Sequence, residues 1–400
     1  MSASIVPAKK LLLQGNIIDG TGNPPFYGCV GINGNKIIFV RPIEKGMHVI
    51  DSFRIEEDRQ IMDAGEGWLV PGFVDLHVHG GAGADVMDGN QTSLSTLCRF
   101  HLVHGTTSLA PTTMTASYEE IDNALKAVMA FKYADELKEM ILGVHLEGPF
   151  ISSRYPGAQN PKHISLARKE WIEEWVKRFP GLICQLTLAP ELQGSEETVK
   201  FARQHGILVA CGHSDATYEQ MTDAVTWGLS HAVHCCNAMR PFLHRDPGVV
   251  GAVLLHEEIT TEIIIDGHHL HPAAARLIHK VKQDKVCLVT DAMRASGMKD
   301  GTYQFSGLEV YVDSGVATIA KGNLAGSTLT MDQALRNFME QTSLELHNAI
   351  RHATAIPAAI IGASANKGSI LLNNDADLVI LGRDTLRVER VMLGGQWVEL

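Results

Sequence analysis

Hydrophobic positions in this chain fall into two patterns. Between residues 72 and 293, eight short runs are almost continuously apolar: "GFVDLHVH" (72–79), "GTTSLAPT" (105–112), "ILGVHLEGP" (141–149), "ICQLTLAPE" (183–191), "ILVACGHSD" (207–215), "HAVHCCNAM" (231–239), "TEIIIDGHH" (261–269) and "VCLVTDAM" (286–293). The stretches between them have helical character. "YEEIDNALKAVMAFKYADELKEM" is one, and "SEETVKFARQHG", which ends on a glycine stop, is another. Parallel strands are covered on both faces and read as unbroken apolar runs. Eight of them interleaved with helices predict an α/β fold of the (β/α)8 TIM-barrel kind. The flanks lack helical periodicity. Residues 9–50 and the tail "KGSILLNNDADLVILGRDTLRVERVMLGGQWVEL" read as β-hairpins. They predict a small β-sandwich domain assembled from both termini, residues 1–68 and 362–400, with the barrel, 69–361, inserted between them.

Length and charge narrow the class. Four hundred residues suffice for one large domain or two. A net charge of −11 argues against nucleic acid or an anionic membrane as the general partner, so any anionic ligand requires a local basic pocket. The opening "MSASIVPAKKLLLQGNIIDG" has too short an apolar run for a signal peptide, and no stretch reaches membrane-spanning length. A cytoplasmic protein is expected. The seven cysteines include no CxxC pair and sit mostly in apolar runs, where a free buried thiol is the usual occupant.

The candidate chemistry lies where the apolar runs end. Barrel enzymes place catalytic groups at the C-terminal tips of their strands. Here those tips carry His77 and His79 on the first strand, Glu147 on the third, His213 on the fifth and His234 on the sixth. His269 follows the seventh and Asp291 ends the eighth. His77 and His79 are two apart and project from the same face of their strand. Together these residues form a nitrogen and oxygen donor set suited to zinc, iron or a similar divalent ion. Asp291 is placed to carry a proton, its other reading being the N-cap of the helix that follows. His145 alternates with Glu147 and reads as a supporting residue. His48, His101, His205, His279 and His347 fall on expected helices or the outer domain and are read as surface residues. Arg240, His244 and Arg245 cluster in "NAMRPFLHRDPGVVG" and suit a phosphate monoester; the competing reading is a solvated loop pairing Arg245 with Asp246.

"PGFVDLHVHG", "HLEGPF", "LAPE", "GHSDA", the Asn-Ala-Met segment with its "HRDPG", "DGHH", "LVTDAM" and "LAGSTLTM" together resemble the N-acetylglucosamine-6-phosphate deacetylases of the amidohydrolase superfamily. The resemblance implies a metal-dependent deacetylase in which Glu147, His213 and His234 hold the tighter metal and Asp291 is the catalytic acid and base. It puts Asn237, Ala238 and Arg245 on the sugar phosphate and His269 on the sugar or the carbonyl oxygen, and it places Gln159 and Leu324 among the substrate contacts. Zinc is the implied ion, with Fe2+ as the alternative. Where the first-strand pair is His-x-His, as at His77 and His79, relatives have room for two ions, so one or two per subunit are expected. The fourth strand ends "LAPE" without the lysine that many cyclic-amide hydrolases carbamylate, which leaves Glu147 as the bridging ligand. Gln159 stands where many relatives have histidine, and "HCCNAM" is an unusual lead-in to the Asn-Ala-Met segment. The resemblance also implies a homodimer in which Arg245 reaches the neighbouring active site. An N-acetylgalactosamine-6-phosphate deacetylase, an unphosphorylated amino-sugar deacetylase, a cyclic-amide hydrolase and a non-catalytic scaffold are the other readings.

Overall fold

The computed structural model describes residues 10–45, 59–305 and 307–399. Residues 1–9 and 46–50 of the flanking segment, with His48, lie outside them. The chain forms two compact units: Met1–Val74 with Leu102–Thr107 and Leu344–Leu400, and Asp75–His101 with Ser108–Ser343.

Eight strands build the barrel, one from each apolar run: β1 (Phe73–Val78), β2 (Thr106–Thr113), β3 (Val144–Glu147), β4 (Ile183–Leu188), β5 (Leu208–Cys211), β6 (His231–Ala232), β7 (Thr260–Ile263) and β8 (Val286–Leu288). They neighbour one another in chain order from β1 to β8. Every residue of β1 and β2 is buried, as strands covered on both faces require. The ends of the sheet meet where Asp291 N donates to His77 O and His79 N to Ala292 O, each at 2.9 Å. Helices start where local chemistry caps them. Ser117 Oγ accepts from Glu120 N while the Glu120 carboxylate accepts from Ser117 N, opening the helix Tyr118–Ala134. The predicted helix near 195–206 is Ser195–Gln204. β6 and β8 are far shorter than their apolar runs. The residues beyond them leave the extended region, with φ of 31° at His234, 75° at Cys236, 48° at Ala238 and 47° at Asp291.

The other unit is built from both ends of the chain. Lys10–Ile17, Phe26–Asn33, Lys36–Pro42, Arg59–Pro71, Leu378–Leu381, Val388–Leu393 and Gln396–Trp397 share one seven-stranded hydrogen-bonded arrangement. Leu378–Leu381 pairs antiparallel with Arg59–Pro71, which joins the C-terminal strands to the N-terminal ones. Alternate residues, Leu11 and Leu13, Val30 and Ile32, Leu378 and Ile380, bury into one core, giving the β-sandwich part of the fold.

Two features depart from the sequence reading. Gly301–Phe305, Leu308–Asp313 and Val316–Ile319 form an antiparallel sheet that was not expected. Its Phe305, Val310, Val312 and Ala317 pack with Met114, Ala158 and Met293. His101, read as a surface residue, is buried, and its Nε2 lies 2.9 Å from the Gly80 carbonyl oxygen. A carbonyl acceptor inside the unit compensates the burial of that ring. His205 is exposed, and His279 and His347 are partly so. All seven cysteines are free, five of them buried. Among the described residues no helix is long and apolar enough to cross a membrane.

Candidate active site

The strand tips gather around one carboxylate. Glu147, ending β3, is buried, and its Oε1 lies 3.0 Å from His234 Nε2, 3.2 Å from His213 Nε2 and 3.4 Å from His77 Nε2. Its Oε2 lies 3.4 Å from His79 Nε2. Asp291 Oδ1 completes the cluster, 3.2 Å from His79 Nε2 and 3.6 Å from His77 Nε2. His213, His234 and Asp291 all hold left-handed backbone, a conformation that costs a non-glycine residue on the order of 1–3 kcal/mol. Hydrogen bonds hold it in place. His213 O accepts from Ser152 N at 2.8 Å, and Asp291 O accepts from Ser327 N at 2.7 Å.

The outer nitrogens of the rings fix what the inner ones present. His77 Nδ1 faces Glu262 Oε2 at 2.8 Å, His79 Nδ1 the Thr112 carbonyl at 3.1 Å, and His213 Nδ1 the Tyr155 carbonyl at 3.0 Å. Each partner is an acceptor, so each Nδ1 carries a proton, and in a neutral ring Nε2 is then a lone pair. Those lone pairs point at the lone pairs of Glu147, an arrangement that a cation reconciles. Burial opposes charge on His77 and His79, yet Glu147, Glu262 and Asp291 outweigh it at His77, and Asp291 and Glu147 at His79, pushing both rings up, His79 to about 9. Burial alone would raise Glu147, but His77, His213 and His234 hold it well below the usual carboxylate range. The donor set therefore fits a divalent ion. Two groups of three converge closely enough, Glu147 with His213 and His234, and His77 with His79 and Glu147. The first matches the two-histidine, one-carboxylate set of catalytic zinc sites, which leaves a position for water.

A cavity of about 370 Å³ opens beside the cluster and is lined by His79, Glu147, His213, His234 and Asp291. Asn237, Ala238, Gln159, His269 and Leu324 line it as well, as does Arg154, which the sequence reading did not single out. Gln159 spans the site: its Nε2 donates to Glu147 Oε2 at 2.6 Å, and its Oε1 accepts from Thr115 N at 2.8 Å. His269 Nδ1 is 2.7 Å from Asp266 Oδ2, and that carboxylate pushes the ring up against the effect of burial. Burial would raise Asp291, but the neighbouring His77 and His79 rings hold it below its ordinary value. His145 stays outside the cluster, with Nε2 2.7 Å from Thr187 Oγ1. Arg245 is exposed and does not line the cavity; its Nη1 lies 2.7 Å from His244 Nε2. The local ion pair on this loop is Arg240 with Asp246 at 2.7 Å, in place of the Arg245 pairing considered from sequence.

Sequence reasoning missed the residues that stand behind the rim. Glu262 on β7 holds His77. Asp75, buried and pushed up to about 7 by that burial, accepts from Thr290 Oγ1 at 2.5 Å and pins the turn that carries Asp291. The signal was a charged residue inside an apolar strand, which requires a buried partner.

The comparisons agree with this geometry. The amidohydrolase family model matches residues 68–398. The N-acetylglucosamine-6-phosphate deacetylase of Bacillus subtilis (strain 168) is 38% identical over 364 residues, covering 89% of each chain. The N-acetylgalactosamine-6-phosphate deacetylase of Escherichia coli O157:H7 is 37% identical over 328 residues, 82% of this chain and 87% of that one. A mutant N-acetyl-D-glucosamine-6-phosphate deacetylase from Mycobacterium smegmatis, solved with N-acetyl-D-glucosamine-6-phosphate, superposes with a TM-score of 0.88. It is 30% identical and covers 97% of this chain and 99% of its own. The family model spans well over half of the chain, and the chain belongs to the amidohydrolase family.

Proposed function

We propose that this chain hydrolyses the N-acetyl group of N-acetylglucosamine-6-phosphate to give glucosamine-6-phosphate and acetate. The observation that carries the reading is the set of four imidazole nitrogens turned onto Glu147, with Asp291 beside them, at the wall of a cavity sized for a sugar. Glu147, His213 and His234 would hold the primary ion, zinc on the strength of the donor set, and His77 and His79 would hold a second beside Glu147. A divalent ion bound there supplies Lewis acidity, which lowers the pKa of water and polarises an amide carbonyl.

The chain's own groups do the rest. Asp291 is kept ionised near neutral pH, so it accepts a proton from the attacking water as the new C–O bond forms. It returns that proton to the nitrogen as the C–N bond breaks, and the amine leaves neutral. Such a carrier is worth on the order of 10²–10⁴-fold in rate. With Nδ1 committed to Asp266, His269 has Nε2 available, and its raised pKa favours a proton there to meet the carbonyl oxygen as it gains charge. Gln159 steadies the Glu147 carboxylate. Asn237 and Ala238 are the subunit's own contacts to the phosphorylated end of the sugar.

Arg245 completes the phosphate site from the partner in a homodimer. Its exposure supports this, as does its position beside Phe242 and Leu243, which are 53% and 56% exposed. Seven unpaired thiols accord with a reducing, cytoplasmic setting. The test is acetate release from N-acetylglucosamine-6-phosphate, its galacto epimer and unphosphorylated N-acetylglucosamine by the zinc-loaded protein. Preference for the first is expected. Preference for the galacto epimer would reassign the substrate, and no release from any of the three would overturn the reading.

A further inference from the structure

We infer that Glu262 is a positioning residue: it fixes the His77 ring with Nε2 turned toward Glu147 and so makes the His77–His79 side of the cluster able to hold a second divalent ion. The inference rests on the metal-dependent reading above. Glu262 is fully buried on β7 and meets four partners. Its Oε2 lies 2.8 Å from His77 Nδ1 and 3.3 Å from His234 N. Its Oε1 lies 3.2 Å from His231 Nε2 and 3.2 Å from Gln185 Nε2. The backbone amide and the glutamine nitrogen can only donate. The Thr260 hydroxyl lies 2.7 Å from His231 Nδ1 and 3.2 Å from the Ser230 carbonyl oxygen, so His231 can present either tautomer to Glu262.

Oε2 thus faces two donors, the His77 Nδ1–H and the fixed His234 amide, a demand that an apolar side chain does not meet. In Glu262→Met that acceptor is gone, and the His77 ring is no longer held with its proton on Nδ1. A proton moved to Nε2, the nitrogen directed at Glu147, blocks coordination there. In Glu262→Gln the amide oxygen can still face His77 while its NH2 group turns to His231 and Gln185, which can offer acceptors. The other rings are held differently. His79 and His213 are oriented by backbone carbonyls, which no side-chain substitution removes. His145 packs edge-on against His77 with ring centroids 4.6 Å apart, but its own nitrogens engage Thr187 and Thr112. The orientation of His77 is therefore carried by one side chain.

Zinc stoichiometry and affinity, measured by equilibrium dialysis with elemental analysis on the wild type, Glu262→Met and Glu262→Gln, test this. The wild type is expected to bind two ions. Glu262→Met should keep the first at wild-type affinity and bind the second ten- to a hundredfold more weakly, the usual effect of removing an outer partner of a ligating histidine. Glu262→Gln, which keeps an acceptor for His77, should recover part of the loss. Two ions bound by Glu262→Met at wild-type affinity would overturn the inference, and so would equal weakening of both ions, which marks general damage. A wild type holding one ion only would overturn it too. A wild type holding none would take down the metal-dependent reading itself. Should Glu262→Met fail to fold, long-range 15N–1H correlation of histidine-labelled, zinc-loaded wild type decides, with the His77 signal assigned through His77→Gln. The Nδ1–H form is expected, and the Nε2–H tautomer would overturn the inference.

Discussion

Replacing Asp291 with asparagine removes a proton carrier and changes little else. Asparagine accepts left-handed backbone, which this position requires at φ 47°. The bonds that fix the turn, Asp291 N to His77 O and Ser327 N to Asp291 O, are main-chain and survive the change. Asp291 is also outside the group formed by Glu147, His213 and His234, so the primary metal should stay. What is lost is the group that, in the proposed reaction, takes the proton from water and hands it to the leaving nitrogen. That loss is expected to lower kcat by about 10²–10⁴-fold, or about 2.7–5.5 kcal/mol of barrier, with KM little altered. The pH profile adds a sign. The Asp291 carboxyl is held below its ordinary value, so wild-type turnover is present above that lowered pKa and fades as pH falls through it. The residual rate of Asp291→Asn should lack this acidic limb. Steady-state acetate release, a pH profile and elemental analysis on one preparation provide the test. A rate within tenfold of wild type would refute the role, and loss of metal together with activity would make Asp291 chiefly a ligand.

His213→Ala and His234→Ala should each lose the primary ion, since three protein ligands are the working minimum for such a site; full metal content by elemental analysis in either variant would move the site elsewhere. Asp266→Asn should bring the alkaline limb of kcat/KM to lower pH, because the proton on His269 is present below a pKa that Asp266 raises and is lost as pH climbs through it; an unmoved limb would remove the Asp266–His269 pair from the reaction. Arg245→Ala should raise KM for the phosphorylated sugar roughly tenfold to 150-fold, from about 1.5–3 kcal/mol for a charge-assisted contact, and leave the unphosphorylated sugar nearly unchanged. Mixing Arg245→Ala with Asp291→Asn subunits should restore some activity if the arginine serves the partner's site, and verified hybrids that stay inactive would show that it does not.

The barrel was legible because parallel strands covered on both sides leave an unbroken apolar run, and the site because six of the eight runs led to a residue able to bind metal or carry a proton. Strand length was not. The runs through His234 and Asp291 continue apolar past the point where the backbone turns left-handed, and no composition signal marks that turn. The hairpin sheet at 301–319 could have been read from "LEVYVD", whose burial alternates, and from the Ser-Gly turn at 314–315. Glu262 in "TTEIII" signals a buried partner but not which one, because its partners come from β1, β4 and β6 and meet only in three dimensions. The carbonyls of Thr112 and Tyr155, which set two ring tautomers, belong to the main chain and leave no trace in the side-chain pattern. Arg154 reaches the cavity wall from an irregular loop between β3 and the next helix, where neither helical nor strand periodicity places a side chain.

Hydrolysis of an acetamido sugar phosphate with a divalent ion held by Glu147, His213 and His234 is tested by stripping the protein with a chelator and titrating zinc back, following bound metal and acetate release from N-acetylglucosamine-6-phosphate in the same samples. No turnover is expected without metal, and turnover should rise with the first equivalent bound, giving acetate and glucosamine-6-phosphate in equal amounts. Full turnover by the stripped protein, or a zinc-loaded protein that releases no acetate, would contradict it.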